Sequence, residues 1–179
     1  MDKMEKKEIR RSIKSRTLAL KPEQALRQSE AVVERLLQIL AQRKPQVVAL
    51  FAPLRDEVQI GSLMQRIECR MVVPRVEGDE MEFYDLASGA LAKGAFGIME
   101  PQSGELVEPR KIDVMVVPGV AFTPSGDRLG RGKGFYDRYL SREGFRAYCV
   151  GVCYPHQVVD ELPVEPHDRR MDEVVSGNE

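Results

Sequence analysis

The sequence of 179 residues lacks the residues on which several classes of protein depend. It contains no tryptophan, two histidines and three cysteines, and its aromatic residues amount to 6%. Cys69, Cys149 and Cys153 are odd in number and have no CxxC spacing, which argues against a disulfide framework and a zinc knuckle. The few aromatics are not interleaved with basic clusters, as the stacking surface of an RNA-binding protein would require.

The sequence also lacks a large charge of either sign and a long apolar run. Its formal net charge is -1, so the whole molecule has no cationic field to hold nucleic acid or an anionic membrane. No apolar run approaches the length of a membrane span, and residues 1–7 are charged where a signal peptide has an apolar core. These absences predict a cytoplasmic protein without a nucleic-acid or membrane partner.

What is present is typical of a globular protein. Hydrophobic residues make up 42% and charged residues 31% of the chain. This length fits one domain over residues 1–179, long enough to bury a core without disulfides, and we expect a monomer.

Two helices are predicted first. Residues 3–20 lack Gly and Pro and carry apolar and basic stripes, and residues 1–21 hold eight Lys and Arg against three Asp and Glu. A second amphipathic helix begins after Pro22 and ends before Pro45.

Apolar runs rich in β-branched residues then alternate with short helical patterns. Strands are predicted at 47–52, 70–74, 81–85, 114–122 and 148–154, and helices at 61–69 and 136–142. Glycines and prolines across 88–110 predict a surface loop. The alternation predicts an α/β fold with a mostly parallel central sheet and helices on both faces, a Rossmann-like three-layer architecture with sites at the carboxyl ends of the strands.

A glycine-rich, cationic loop follows the strand predicted at 114–122. Between Gly126 and Gly134 lie four glycines and three cations, and Asp127 is the only acid. Glycines let backbone N–H groups face an anion, and Arg and Lys form charge-assisted hydrogen bonds with phosphate oxygens. The loop therefore predicts a phosphate site, although such a composition is also typical of a solvated turn.

The loop does not match the common nucleotide motifs. Asp127 stands where a Walker A motif has its first glycine, and the glycines follow the spacing GxGxG instead of GxGxxG. A buried strand before the loop and a helix after it are nevertheless the usual setting of an anion site. Asp137 could hold Mg²⁺ against phosphate oxygens, or could simply be an acid favoured in the first turn of a helix.

The segment 117–140 resembles the signature of the 5-formyltetrahydrofolate cyclo-ligases, also called methenyltetrahydrofolate synthetases. Other pieces resemble the family's basic N-terminal helix, its substrate motif and two later segments: residues 6–10 with Arg16, 56–58, 97–101 and 167–172. The stretch 87–94 matches weakly, and Phe135 stands where Tyr is frequent.

The resemblance implies ATP- and Mg²⁺-dependent conversion of 5-formyltetrahydrofolate, the substrate, to 5,10-methenyltetrahydrofolate with release of ADP and phosphate. Hydroxide is a poor leaving group, so phosphorylation of the formyl oxygen would allow N10 to attack and close the ring as phosphate departs. Such an enzyme must align the two reactants and neutralise phosphoryl charge.

The resemblance also implies the residues of the site. The ATP-binding residues would be Lys6, Lys7, Glu8, Ile9, Arg10, Arg128, Leu129, Gly130, Arg131, Gly132, Lys133, Gly134, Phe135 and Tyr136. The catalytic residues among them would be Arg131, Lys133 and Tyr136, and the Mg²⁺ ligands would be Asp137 and Asp172. The substrate would contact Ala52, Glu57 and Tyr136, with the Glu57 carboxylate accepting hydrogen bonds from the pterin N–H groups.

Other interpretations remain open from the sequence. Sugar-phosphate isomerases and CoA-transferases also bind phosphates at strand ends, but that analogy rests on fold alone. An RNA-binding protein could use the basic helix and loop. A folate-binding protein without turnover would keep Glu57 but would need neither Lys133 nor Asp137. His156 and His167 receive no catalytic role, because a histidine that completes a buried hydrogen bond is the commoner case.

Overall fold

A central sheet of seven strands organises the structure, a computed structural model that describes residues 3–86, 91–93, 99–101 and 104–178. In chain order the strands are β1 Val47–Ala49, β2 Arg70–Glu77, β3 Glu80–Asp85, β4 Leu91–Lys93, β5 Met99–Pro101, β6 Leu106–Val107, β7 Val114–Val117, β8 Ala121–Phe122, β9 Arg128–Leu129, β10 Tyr148–Val152 and β11 Glu173–Val175. The order across the central sheet is β11-β10-β7-β1-β2-β3-β6.

Most pairings in this sheet are parallel. Strands β11, β10, β7, β1 and β2 pair in parallel, whereas β3 and β6 continue the sheet antiparallel at one edge. The predicted α/β fold with a mostly parallel central sheet is confirmed. The antiparallel edge arises because β2 and β3 form a hairpin, whose turn uses Gly78 at φ +64°.

Helices cover both faces of the sheet. They are α1 Lys3–Leu18, α2 Pro22–Arg43, α3 Leu63–Arg66 and α4 Phe135–Leu140, with 3₁₀ turns at Pro109–Lys111 and Pro155–Gln157. Pro22 starts α2, and Lys44 ends it in the left-handed conformation before Pro45. Of the helices in the described ranges, none is both long and apolar enough to cross a membrane.

The central strands are buried on both sides, which explains their nearly continuous apolar sequences. Val48 of β1 and Val116 of β7 lie in the core beneath α2, whereas Ala49 and Val117 lie in the core that contains Tyr139 of α4. Successive side chains of a strand point to opposite faces, so each layer receives every second residue.

The strand predicted at 114–122 is two strands. β7 ends at Val117, and β8 leaves the central sheet to pair antiparallel with β9. Proline lacks an N–H for the strand ladder, which accounts for the break at Pro118. A Cβ on Gly119 would lie 2.8 Å from the Phe122 ring, so the chain turns where only glycine fits.

The prediction of a surface loop over residues 88–110 is wrong for the part of this segment that the structure describes. β4 pairs with β5, and β6 adds to β3 through Phe83 opposite Val107. These strands are two or three residues long, too short to produce a periodic signal. Residues 87–90, 94–98 and 102–103, which include part of the segment 97–101, lie outside the described residues.

Helix α1 packs against the β8–β9 hairpin at the carboxyl ends of the central strands. Ile13 is buried with Ala121 and Leu129. The Thr17 hydroxyl Oγ1 lies 2.7 Å from Nε2 of His156, in hydrogen-bond range. The basic helix is thereby placed beside the glycine-rich loop, although the loop begins 108 residues after the end of the helix at Leu18.

Candidate active site

A cleft of about 820 Å³ opens where β1 and β7 end. The carboxyl ends of parallel strands are the usual position of ligand sites in α/β sheets, and small-molecule sites span about 300–1,000 Å³. Residues 128–137 form one wall of the cleft. The other lining residues come from α1, from the segments after β1 and β7, from β2 and β3, and from the segment before β11.

The glycine-rich loop is held by backbone carbonyls that accept hydrogen bonds from arginines. Arg10 Nε donates to the Gly130 carbonyl at 2.9 Å, and Arg138 Nη1 donates to the Lys133 carbonyl at 3.0 Å. Gly132 and Gly134 have φ values of +106° and +74°, which favour glycine. The loop geometry therefore depends on glycine at these positions and on α1.

Arg128 is part of the wall and not a freely exposed cation. Its side chain is 7% exposed, and Nε donates to the Pro118 carbonyl at 2.7 Å. Its guanidinium lies 5.1 Å from the centre of the Tyr136 ring, and Nη1 lies 3.5 Å from Asp137 Oδ1. Burial lowers the pKa of Arg128, an effect that Asp137 opposes. Arg128 thus fixes the wall as well as facing the cleft.

Arg131 contacts two adjacent carboxylates. Its Nη2 donates to Asp56 Oδ1 at 2.7 Å and lies 3.6 Å from Glu57 Oε2. Its side chain is 43% exposed. In this arrangement Arg131 is bound by acids, so contact with a phosphate would require it to share or exchange these partners.

Glu57 is a buried carboxylate on a turn that hydrogen bonds hold in place. It is 8% exposed, and its Oε1 accepts a hydrogen bond from the Leu54 N–H at 2.7 Å. Burial raises the pKa of Glu57, whereas the Leu54 N–H and Arg131 oppose that rise. The carboxylate therefore combines low solvation with acceptor capacity directed at the cleft, the combination that recognises a ligand's N–H groups.

An apolar wall lies in the same cleft as Glu57. It is formed by Phe51, Ala52, Pro74, Val76 and Met81. Sequence reasoning identified Ala52 but missed the other four. The strands of Pro74, Val76 and Met81 were predicted, but a local pattern does not show which end of a strand faces a cleft.

A cationic set, composed of Lys6, Lys7, Arg10 and Lys133, also lines the cleft. Lys7 and Lys133 are exposed, and Lys6 and Arg10 are half-buried. Of the residues that the resemblance assigned to ATP, Glu8 and Ile9 do not belong to the lining: Glu8 is exposed, and Ile9 packs under α1. One face of a helix cannot present five consecutive side chains, because successive residues are about 100° apart.

Tyr136 contributes a half-buried phenol to the cleft. Burial raises the pKa of Tyr136, and Glu57 adds to that rise while Arg128 opposes it. The hydroxyl is therefore protonated at neutral pH and can donate a hydrogen bond into the cleft.

The two predicted metal ligands have different surroundings in the structure. Asp137 lines the cleft and is 56% exposed. Asp172 precedes β11, where its Oδ2 accepts a hydrogen bond from the Cys149 N–H at 2.7 Å and lies 3.6 Å from Arg169 Nη2. Asp172 serves the start of the β10–β11 pair and does not line the cleft, so of the two predicted ligands the structure places Asp137 there.

Only one carboxylate of that pair is thus left for a metal at the cleft. Within the described ranges, no group of three or more His, Cys, Asp or Glu is placed to hold a metal ion by itself. Mg²⁺ is commonly held by one or two carboxylates together with substrate phosphates, so Asp137 beside a phosphate-bearing ligand fits that ion.

Two further residues at or beside the cleft were given no role from the sequence. Gln157 is buried, and its Nε2 donates to the carbonyls of Gly119 and Val120, both at 3.0 Å. It thereby fixes the chain between β7 and β8 beside the cleft. Asp168 lines the cleft from the segment before β11.

The two histidines contact other side chains of the protein. His156 is bonded to Thr17 and stacks with the Tyr154 ring at 5.8 Å. His167 is an exposed neighbour of Asp168. Neither lines the cleft.

Comparison with known proteins gives a consistent result. The model of the 5-formyltetrahydrofolate cyclo-ligase family matches residues 2–177. A 5-formyltetrahydrofolate cyclo-ligase of Mus musculus is 28% identical over 95% of this chain and 92% of the mouse protein.

Two solved structures have the same fold. The 5,10-methenyltetrahydrofolate synthetase of Aquifex aeolicus is 40% identical, with a TM-score of 0.86 over 97% of this chain and 90% of its own. That of Mycoplasma pneumoniae is 27% identical, with a TM-score of 0.79 over 99% of this chain and 100% of its own.

Proposed function

This chain belongs to the 5-formyltetrahydrofolate cyclo-ligase family and is a ligase, and on that premise we propose that it converts 5-formyltetrahydrofolate to 5,10-methenyltetrahydrofolate with MgATP, releasing ADP and phosphate. One observation carries the proposal. A single cleft combines a buried carboxylate, an apolar wall and a glycine-rich loop with a cationic set.

The folate is assigned to the apolar wall. A reduced pterin has a polar edge with N–H donors and two faces that gain from apolar contact. Glu57 would accept hydrogen bonds from that edge, and Ala52 would contact the ring. Tyr136, which is held neutral by burial, would donate its hydroxyl hydrogen toward the formyl oxygen.

The triphosphate is assigned to the cationic set and the loop. Lys6, Lys7, Arg10 and Lys133 would share the phosphate charge, and loop N–H groups would face the phosphate oxygens. Asp137 would hold Mg²⁺ against those oxygens.

Catalysis in this arrangement is mainly alignment and charge neutralisation. Bound MgATP would supply the phosphoryl group that turns the formyl oxygen into a leaving group for ring closure by N10. Lys133 would offset negative charge on the transferred group, and Arg131 would contribute by exchanging part of its contact with Asp56. The apolar wall would keep water away from the activated carbon.

The reaction can be tested directly. Purified protein is mixed with 5-formyltetrahydrofolate, and formation of 5,10-methenyltetrahydrofolate is followed by absorbance with and without MgATP. We expect product only with MgATP. No product with MgATP would refute the activity and would favour a folate-binding protein, whereas equal product without nucleotide would refute the phosphoryl-transfer mechanism.

We also propose that the active unit is a monomer in the cytoplasm. One chain supplies all of the cleft lining described above. The three cysteines are free, and burial raises the pKa of the Cys149 and Cys153 thiols to about 12, which suits a reducing compartment. Specific activity should be independent of protein concentration, and a rise on concentration would contradict the monomer.

A further inference from the structure

Asp56 makes the shorter of the two carboxylate contacts of the Arg131 side chain. Its Oδ1 accepts from Arg131 Nη2 at 2.7 Å, whereas Glu57 Oε2 lies 3.6 Å from the same nitrogen, beyond hydrogen-bond range. Asp56 itself lies behind the cleft, where it lines a smaller cavity of about 160 Å³. Arg131 lines both spaces.

The backbone around Arg131 does little to fix its side chain. Gly130 and Gly132 flank it, and Gly132 has φ +106°. A half-exposed arginine between glycines has many rotamers to lose, so its position depends on what holds the guanidinium.

Asp56, by contrast, lies on a constrained turn. The Glu57 N–H donates to the Leu54 carbonyl at 3.1 Å, and the Leu54 N–H donates to Glu57 Oε1 at 2.7 Å. The Tyr154 hydroxyl donates to the Glu57 carbonyl at 3.1 Å. The turn is therefore a fixed anchor, and Arg131 is the mobile partner.

We propose that Asp56 is a positioning residue that holds Arg131 beside Glu57 and so couples the folate-binding carboxylate to the glycine-rich loop. The inference rests on the proposed function, because it assigns Glu57 to the folate. Asp56 would touch neither reactant and would act only through Arg131.

The position of Arg131 affects the pKa of Glu57. The charged and titratable groups that act on Glu57 are Arg131, Asp56, Arg128 and Tyr136. Burial raises the pKa of Glu57, Arg131 lowers it and Asp56 raises it, with Arg131 the stronger of the two neighbours. Removing the Asp56 charge should therefore lower the pKa of Glu57 if Arg131 stays in place. It should raise that pKa if Arg131 moves away.

The test uses Asp56→Asn in the full-length protein, with Asp56→Glu as the conservative variant. Asp160→Asn is the matched control, since Asp160 is exposed and lies outside both cavities. In Asp56→Asn we expect KM for 5-formyltetrahydrofolate to rise roughly tenfold, which is the effect of one lost charge-assisted contact. KM for MgATP should not rise, because Arg131 is released toward the phosphates.

The pH profile provides a second readout. In Asp56→Asn the acidic limb of kcat/KM for the folate should move to higher pH, because Glu57 loses Arg131 and becomes easier to protonate. The folate's own titration is common to all variants and cancels in the comparison. Asp56→Glu should restore part of the folate KM, and Asp160→Asn should match the wild type.

The outcomes separate this inference from the proposed function. Wild-type protein without MgATP-dependent product would refute the proposed function. An active wild type with unchanged Asp56→Asn kinetics would refute only the positioning role. An acidic limb moved to lower pH would show that Asp56 acts as a charge alone, and a lower Tm with both KM values raised would show a merely structural residue; either result overturns the inference.

Discussion

The acid and the cations of the cleft differ in how they are held. Glu57 is 8% exposed, hydrogen-bonded within its own turn and in the same cleft as the apolar wall, whereas Lys133 and Lys7 are exposed. A carboxylate that is to accept hydrogen bonds from the N–H groups of a pterin benefits from low solvation and fixed geometry. A triphosphate carries enough charge to be held by several solvated cations, which can adjust as it reacts. The difference predicts that changes on the two sides will affect different ligands.

The largest effect is expected from Glu57→Gln, which keeps the size of the side chain and removes its charge. We expect kcat/KM for 5-formyltetrahydrofolate to fall on the order of 100-fold, the effect of one or two charged hydrogen bonds in a buried site. Direct titration of the variant with folate should show the same loss, and KM for MgATP should stay near the wild-type value. An equal loss of MgATP affinity would contradict the separation of the two sides.

The protonation of Glu57 gives a related pH dependence. Burial raises the pKa of this carboxyl, so the protonated form accumulates at higher pH than for an exposed glutamate. The ionised form is the acceptor, and folate affinity should therefore fall as pH is lowered through that raised pKa. Titrations of the wild type across pH, with Glu57→Gln as the control that lacks this group, measure the effect.

Lys133→Ala should affect the other ligand. Removing one exposed phosphate-facing cation is expected to raise KM for MgATP or lower turnover by roughly tenfold, with the folate KM nearly unchanged. Tm should change little, because substitutions of exposed side chains usually alter stability by less than about 0.5 kcal/mol. Lys111→Ala, at an exposed site by the amino end of β7, is the control. Unchanged kinetics would remove Lys133 from the site.

Substitutions of Asp137 and Asp172 are expected to have opposite effects. Asp137→Asn should require a several-fold higher Mg²⁺ concentration for half-maximal activity, since a neutral ligand binds Mg²⁺ less well. Asp172→Asn should leave the Mg²⁺ titration unchanged and lower Tm, because its carboxylate caps the Cys149 N–H and faces Arg169. A normal titration in Asp137→Asn would count against its role, and a shifted one in Asp172→Asn would contradict its position.

The smallest expected effect is that of salt. Screening acts mainly on exposed charges, so added inert salt should raise KM for MgATP by a few-fold and KM for the folate by less. The ratio of the two KM values against ionic strength measures this difference. Equal slopes would mean that Glu57 is as accessible to solvent as Lys133 during binding.

The sequence predicted the elements of the fold better than their ends. Apolar runs at 47–52 and 148–154 correspond to β1 and β10, because both strands are buried on two faces and leave a continuous signal. The apolar run at 114–122 was predicted as one strand but forms two, since its apolar character continues through Pro118 while the backbone passes from one sheet to another. The strands β4 to β6 were missed because edge pairing needs backbone hydrogen bonds and few apolar side chains.

For the site, the glycine-rich loop could be recognised from the sequence because its characteristic residues lie close together in the chain. Four glycines and three cations fall between 126 and 134. The burial and the contacts of those three cations could not be predicted from the local sequence. Arg128 is buried against the Pro118 carbonyl, Arg131 binds Asp56, and Lys133 is exposed at the cleft. Burial and pairing are set by segments distant in the chain. The sequence by itself determined that a glycine-rich, cationic loop follows a buried strand, and only the tertiary structure decided which cation faces which partner.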